Sequence, residues 1–316
     1  MTENTADHWS DYWSLGCLTS LPQDFKANYD GEVRAFWESQ FETTPTGGSL
    51  IDLCTGNGAV ALLAAGFALS RNRALEVTAV DAATVRPDII ATRFPDQATL
   101  LDRIRFISGV RVETLDLEQQ FDLVTSQYGI EYCDHESAAA SVARLLKPGG
   151  RLVMVCHSAG SDIMAFMQRE CEEYALLEEL GLFEAIGAYL AKEIPHRELA
   201  EALQQVQARL YPEFQARESS LFRSVLETVG GILAMPSGRL EASGAHLQAY
   251  HDRVRHGKDR LEDMLRVNRD LAAHPDWVDV FEKAGLEASG SGEIRYRGSH
   301  HAGDYFMYSK PRAGAS

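Results

Sequence analysis

Leu50-Ile51-Asp52-Leu53-Cys54-Thr55-Gly56-Asn57-Gly58-Ala59-Val60-Ala61-Leu62-Leu63-Ala64 reads as a buried strand, a tight turn and a helix. Leu50 to Leu53 form a short strand whose only charge, Asp52, sits near its end. Gly56 and Gly58 let the backbone turn through conformations closed to other residues and leave room for a ligand. The alanine- and leucine-rich run after Gly58 has strong helix propensity. A ligand over this turn would meet backbone amides and the positive end of the helix dipole.

Working outward, Thr43 to Ser49 (TTPTGGS) is a breaker-rich loop that delivers the chain into this strand. Downstream, Leu75 to Val80 is a second strand ending at Asp81, and a helix with Pro87 in its first turn runs to about Phe94. Ile104 to Ile107 and Phe121 to Thr125 are the third and fourth strands. A helix from about Glu136 to Leu146 stops at Lys147-Pro148-Gly149-Gly150, and Arg151 to Cys156 is a fifth strand leading to His157. Strands alternating with helices imply βαβ units and a mostly parallel sheet covered on both faces.

From Ser161 to about Pro275 the strand signal fades and helical periodicity takes over. Leu199, Leu203, Val206 and Leu210 form an amphipathic stripe, and Pro195, Pro212 and the Met235-Pro236-Ser237-Gly238 turn divide the run into four or five helices. This run carries 19 Asp+Glu against 13 Lys+Arg, a net of −6, so it is no nucleic-acid clamp. Trp277 to Ala284 then reads as a short helix, Leu286–Ser289 and Ile294–Tyr296 as extended, and Asp304 to Ser309 as a closing strand. The expected fold is a doubly wound α/β sheet of seven strands, mostly parallel with the last antiparallel. A large all-helical insertion, residues 161–275, separates strand five from the closing strands. Residues 45–160 and 276–310 make the α/β domain, and residues 1–44 an aromatic-rich helical lid.

Within that lid, Phe36, Trp37 and Phe41 follow Asp30, a residue suited to an N-cap, at near-helical spacing and dock a helix on the core. Tyr12, Trp13 and Tyr29 lie in less periodic sequence and suit a cover over a pocket.

Composition narrows the function. The 316 residues carry a net charge of −16, which repels nucleic acid. No apolar run is long enough for a transmembrane helix, and the polar start lacks the pattern of a signal peptide. Five cysteines (17, 54, 133, 156 and 171) form no CxxC pair, the pattern of a reduced cytoplasmic protein with buried thiols. His300-His301 and the scattered His246, His251 and His256 lack companions at ligand spacing, so no metal is expected.

A dinucleotide site would want G-x-G-x-x-G, but Cys54 stands in place of the first glycine and no third follows. What the chain has is an ordered set: Asp52, the Gly56-Asn57-Gly58 turn, Asp81 closing strand two, and Leu145-Leu146-Lys147-Pro148-Gly149-Gly150-Arg151-Leu152 before strand five. In this order and spacing it resembles the class I, Rossmann-like S-adenosylmethionine-dependent methyltransferases, over residues 45–157 and more loosely 276–310. The resemblance implies S-adenosyl-L-methionine as cofactor, held by Asp52, Cys54, Gly56, Gly58, Asp81, Ala82, Gly109, Val110 and Gln127. Asp81 would accept hydrogen bonds from the ribose hydroxyls. Relatives often carry an acid after the glycine that follows strand three; here Ser108-Gly109-Val110-Arg111 has none.

Residues after strands four and five point into a pocket at the carboxyl ends of the sheet. Of these, His157, Tyr128 and Glu131 are candidate catalytic groups, with His157 as general base or else a structural histidine. Tyr12, Trp13, Tyr29 and Tyr132 are candidate acceptor contacts. The N/D-P-P-Y/F motif of enzymes that methylate adenine, cytosine or glutamine amino groups is replaced by Ser126-Gln127-Tyr128-Gly129. The expectation is methyl transfer, by in-line displacement, to a small or medium organic molecule, with no nucleic-acid or membrane partner. The alternatives are a protein or RNA methyltransferase, or a non-catalytic cofactor-binding interaction module. The helical insertion would roof the acceptor pocket or build a homodimer.

Overall fold

The computed structural model describes residues 3–20, 25, 27–158, 160–298 and 300–312. Helices α1 (Glu3–Ser14) and α2 (Gly31–Glu42) precede the sheet. Then β1 (Gly48–Leu53), α3 (Ala59–Ser70), β2 (Leu75–Asp81), α4 (Pro87–Arg93), α5 (Ala98–Leu101) and β3 (Ile104–Ser108) alternate. β4 (Phe121–Gln127), α6 (His135–Leu145) and β5 (Leu146–Cys156) complete the parallel part. Six helices follow: α7 (Asp162–Glu179), α8 (Leu182–Leu190), α9 (His196–Arg217), α10 (Ser220–Leu233), α11 (Ser237–Ala242) and α12 (Gly244–Ala273). The chain closes with α13 (Asp279–Lys283), β6 (Glu287–Tyr296) and β7 (His300–Ser309).

The strands form one seven-stranded sheet in the order β3-β2-β1-β4-β5-β7-β6, parallel from β3 to β5, with β7 antiparallel to both its neighbours. All six residues of β1, the middle one of the five parallel strands, are buried, as a strand covered on both faces requires. α3 is apolar all round, and nine of its twelve residues are buried, so it needs cover on more than its sheet side. α2 gives that cover: Phe41 packs on Phe67 of α3, and Val33, Trp37 and Phe41 are essentially inaccessible. On the other side of the sheet, Phe121, Val142, Leu145, Leu152, Phe281 and Tyr308 meet in a core between the strands, α6 and α13.

The chain divides into two compact units, Met1–Met164 with Arg266–Ser316, and Ala165–Leu265. In the second unit Leu199, Leu203, Val206 and Leu210 are the buried residues of α9, while α10 buries Phe222, Val225, Val229 and Ile232 under an N-cap from Ser219 Oγ to the Phe222 amide.

Several local expectations are corrected. Asp30 precedes α2 but does not cap it through its side chain, because its carboxylate accepts the Tyr296 hydroxyl at 2.6 Å. Pro212 does not end α9, which runs through it to Arg217. The helical run contains six helices, more than the four or five read from its breakers. Lys147-Pro148-Gly149-Gly150 already belongs to β5, with a register shift against β4 between Phe121 and Leu123. The two extended pieces at 286–289 and 294–296 are one strand, β6. Of the five cysteines, all unbridged, only Cys156 is buried.

Candidate functional site

The carboxyl ends of β2, β1 and β4 lie side by side. Asp52 of β1 is in register with Ala79 of β2 and Thr125 of β4, so the turns leaving these strands converge at one edge of the sheet, where open α/β folds bind ligands. They wall a cavity of about 830 Å³, its open mouth included. Asp52, Cys54, Thr55, Ala59 and Val60 line it from the β1–α3 turn, and Asp81, Ala82 and Ala83 from the end of β2.

The turn is held by its acids. Asp52 accepts the Thr55 hydroxyl at 2.5 Å and the Thr125 hydroxyl at 2.7 Å. Burial pushes its carboxyl up to about 7, against the pull of those two hydroxyls. Asp81 accepts the Gly56 amide at 2.7 Å on one oxygen and the Ala83 amide at 2.8 Å on the other. Burial raises it to about 6 although both amides favour the charged form. A carboxylate offers about four lone pairs, so Asp81 keeps acceptor capacity toward the cavity.

The glycines act differently from expectation. Gly56 (φ 55°) and Gly58 (φ 90°) do take left-handed backbone, but neither lines the cavity. A Cβ on Gly56 would stand 2.5 Å from the Trp13 ring, and one on Gly58 2.9 Å from Phe106. The close approach expected of a ligand is made here by two of the protein's own rings. Cys54 also has positive φ (54°). It packs so tightly on Gly129 that a Cβ there would fall 2.2 Å from its own Cβ, and its sulfur lies 3.8 Å from Cys133 Sγ, another wall residue.

The second wall is aromatic. Trp9, Trp13, Tyr29 and Tyr132 line the cavity with Leu18, Thr19 and Ser20. Trp9 stacks on Trp13 at 5.8 Å and meets Tyr132 edge-on at 5.9 Å. Tyr12 is close by but off the wall, its hydroxyl donated to the Thr19 carbonyl at 2.7 Å. Asn57 ties this wall to the glycine turn. Fully buried, it donates Nδ2 to the Trp13 and Cys17 carbonyls (2.9 and 2.8 Å) and accepts the Arg86 amide on Oδ1 at 2.8 Å. Sequence reasoning gave Asn57 no role beyond the turn; its signal was an amide side chain set between two glycines.

Gln127 and Tyr128 lead from β4 into the cavity wall. Tyr128 holds positive φ (53°) and donates its hydroxyl to the Ala302 carbonyl at 2.7 Å. Its ring stacks on His157 at 4.6 Å. His157 and Glu131 are buried and do not line the cavity. The His157 amide donates to Glu131 Oε1 at 2.9 Å, which with the Tyr128 stack keeps the imidazole out of the wall. Burial lowers His157 to about 4 and raises Glu131 to about 7. A general base at His157 is therefore not what this geometry offers: the ring is neutral, weakly basic and off the cavity surface.

After β3, Gly109 (φ 72°) and Val110 also stand off the cavity, and the next three residues, Arg111, Val112 and Glu113, line it. An acid does line the cavity further on, Glu113, which sits in the 3-10 turn Val112–Thr114. Burial works to raise its carboxyl, but the Arg111 guanidinium at 2.9 Å and the Asp134 amide hold it below the usual carboxylate range. Among the described residues, no group of three or more His, Cys, Asp or Glu could hold a metal ion.

Comparison with known proteins gives this site a family. The sequence model of the ubiE/COQ5 methyltransferase family matches residues 33–221. A ubiquinone/menaquinone biosynthesis C-methyltransferase from Stutzerimonas stutzeri is 26% identical over 142 residues, 43% of this chain and 52% of that protein. The chain thus spans about half the length of the curated relative it matches. Among solved structures, a TehB-like S-adenosylmethionine-dependent methyltransferase from Corynebacterium glutamicum aligns with 14% identity over 87% of each chain at a TM-score of 0.37. A geranyl diphosphate C-methyltransferase from Streptomyces coelicolor aligns with 17% identity over 40% of this chain and 43% of its own, at a TM-score of 0.32. With the family match covering more than half of its length, this chain belongs to the ubiE/COQ5 methyltransferase family.

Proposed function

We propose that the chain binds S-adenosyl-L-methionine in the cavity between the β1–α3 turn and the aromatic wall, and methylates a small or medium organic molecule in the cytoplasm. The observation that carries this reading is one cavity lined both by Asp81, at the end of β2, and by Trp9, Trp13, Tyr29 and Tyr132. Asp81 would take the ribose hydroxyls on its remaining lone pairs. Rings of this kind attract a cation such as a sulfonium and exclude water around it. When bound, the cofactor supplies an electrophilic methyl group on that sulfonium.

The chain's own contribution is positioning and desolvation. Tyr128, its hydroxyl already donated to Ala302, acts as a wall and not as a proton carrier. Glu131 and His157 support that wall from outside the cavity. The apolar walls and the net charge of −16 favour a small molecule over nucleic acid. The five unbridged cysteines suit a reducing compartment, and no helix among the described residues is long and apolar enough to cross a membrane.

Isothermal titration with S-adenosylhomocysteine tests the donor half. Saturable binding by the wild type, weakened at least tenfold in Asp81→Ala, is expected; unchanged binding in that variant would sink the assignment. For the acceptor half, release of S-adenosylhomocysteine is followed across fractionated metabolite pools. Turnover with small-molecule fractions is expected, and turnover only with protein or RNA would overturn the substrate class.

A further inference from the structure

We propose that Cys54 and Cys133 are a redox-sensitive thiol pair in the cavity wall, which a peroxide oxidises to a disulfide that shuts out the cavity's ligand. The two residues come from different elements: Cys54 follows β1 in the glycine turn, and Cys133 follows the 3-10 turn Ile130–Tyr132 after β4. Their sulfurs lie 3.8 Å apart, in contact and unbridged. Both residues are partly exposed and both line the cavity, so a small oxidant entering its mouth reaches them. A disulfide holds its sulfurs about 2.05 Å apart, so closure asks for a shift of under about 2 Å. The pair spans 79 residues of chain, a juxtaposition the sheet creates by placing β1 beside β4. In a reducing compartment, as proposed above, such a disulfide is transient and registers oxidant instead of holding the fold.

The chemistry balances with hydrogen peroxide as the only co-reactant. The Cys133 sulfur, as thiolate, attacks one peroxide oxygen and the O–O bond breaks. The departing hydroxide takes up the thiol proton as water and leaves a sulfenic acid. The Cys54 sulfur then attacks that sulfur, the S–S bond forms, the S–O bond breaks, and hydroxide leaves with the Cys54 proton as a second water. A hydrogen bond to Cys133 first, and burial second, push the Cys54 thiol well up, so it keeps its proton until this resolving step. Cys54 has little room to yield, since it holds positive φ and packs tightly on Gly129. Cys133 must do most of the moving, and its neighbours on both sides are tied to the wall. Tyr132 lines the cavity and meets Trp9 edge-on at 5.9 Å. The Asp134 amide donates to Glu113 Oε1 at 3.1 Å. Drawing Cys133 toward Cys54 shifts Tyr132 and strains the Glu113 contact, so the bridged cavity no longer fits what the open one holds. That its ligand is S-adenosyl-L-methionine rests on the reading above; the bridge itself does not.

The test oxidises the whole chain with hydrogen peroxide, blocks the remaining thiols with iodoacetamide and reads non-reducing peptide maps by mass spectrometry. S-adenosylhomocysteine is titrated calorimetrically into the reduced, oxidised and dithiothreitol-treated forms. The expected result is a peptide linking Cys54 to Cys133, lighter by two hydrogens, with affinity weakened at least roughly tenfold until dithiothreitol restores it. In Cys133→Ser the oxidised and reduced forms should bind alike, whatever that variant's own affinity. Should Cys133→Ser fail to fold, Cys54→Ser puts the same question from the other side of the pair. Oxidation that leaves both thiols free, or that joins either of them to Cys17, Cys156 or Cys171, overturns the pair. A bridge that leaves affinity unchanged or raises it overturns the switch. A loss of affinity that persists in the serine variants traces the oxidant's effect to another residue and overturns it as well. A reduced wild type that binds no S-adenosylhomocysteine yet forms the bridge breaks the S-adenosyl reading, whereas the thiol pair stands.

Discussion

The two walls of the cavity are built in opposite ways. The wall from β1 and β2 is positioned by the sheet: Asp52 reaches Thr55 three residues on and Thr125 on the adjacent strand, and strand register brings Asp81 to the Gly56 amide. The aromatic wall is tied down by single side chains that span long stretches of chain. Asn57 holds the Trp13 and Cys17 carbonyls across 44 and 40 residues, and behind the cavity Trp37 of α2 reaches Gln127 of β4 across 90. A local wall survives the loss of one bond because the sheet still positions its backbone. A wall hung on a few long-range bonds does not, and substitutions should expose the difference.

The largest effect is expected at Asn57. Asn57→Leu leaves the Cys17 carbonyl and the Arg86 amide without their partner, at about 1–3 kcal/mol each before relaxation, and strips the Trp13 carbonyl of one of its two donors, the other being the Gly16 amide. A loss of about 4 kcal/mol in urea unfolding, with a shift in tryptophan fluorescence as Trp9 and Trp13 move, is the expected result. A loss below 1 kcal/mol would mean that the aromatic wall does not depend on this residue. Next is Gly56→Ala, whose methyl would meet the Trp13 ring at 2.5 Å on a left-handed backbone. Strain and overpacking together should cost about 3 kcal/mol, read as a drop in Tm. If the Trp13 ring simply turns aside, the loss falls to that of an open left-handed glycine.

A pH series separates the buried acids. The Glu131 carboxyl sits at about 7 in the folded protein against an ordinary 4.5. Between those pH values the folded state keeps a proton that the unfolded chain has released, so stability falls as pH rises from 4.5 through 7. The difference integrates to about 3 kcal/mol. Glu131→Gln should flatten the wild-type decline by up to that amount in urea midpoints taken from pH 4.5 to 8. Parallel curves for the two proteins would place the titration elsewhere, with Asp52 the next candidate. The smallest effect is expected at Gly109, left-handed like Gly56 but with nothing within 4 Å of a Cβ. Gly109→Ala should lower stability by about 1 kcal/mol, the backbone term alone.

The same contrast explains what could be read from the sequence. The strand-turn-helix at Leu50–Ala64, Asp81 at the end of β2 and the strand-helix alternation are local patterns, each fixed by residues a few positions apart. Where local preference met a tertiary partner, the reading slipped: the carboxylate of Asp30 went to Tyr296 instead of an N-cap. The site divided along the same line. Asp52, Cys54, Asp81, Ala82, Gln127, Tyr128, Tyr132, Trp13 and Tyr29 do line the cavity. Gly56, Gly58, Gly109, Val110, Tyr12, Glu131 and His157 do not. For the two turn glycines the reason is that Trp13 and Phe106 cover them, which no pattern in the turn itself announces. Trp9 and the Arg111–Glu113 pair escaped notice because they join the wall through packing and a 3-10 turn, not through any spacing.

The burial of α2 has a consequence for biosynthesis. Trp37 and Phe41 leave the ribosome long before the partners that enclose them, since Phe67 lies 26 residues and Gln127 90 residues further on. At roughly 5–20 residues per second, Trp37 waits about 5–20 seconds for Gln127 to be synthesised. During that interval a cluster of aromatic side chains stands in water on the nascent chain. The step at which this protein is most open to chaperone capture or aggregation is therefore translation of the first half of its sheet, and slowing the ribosome between Trp37 and Gln127 should lower its soluble yield more than slowing it after β4.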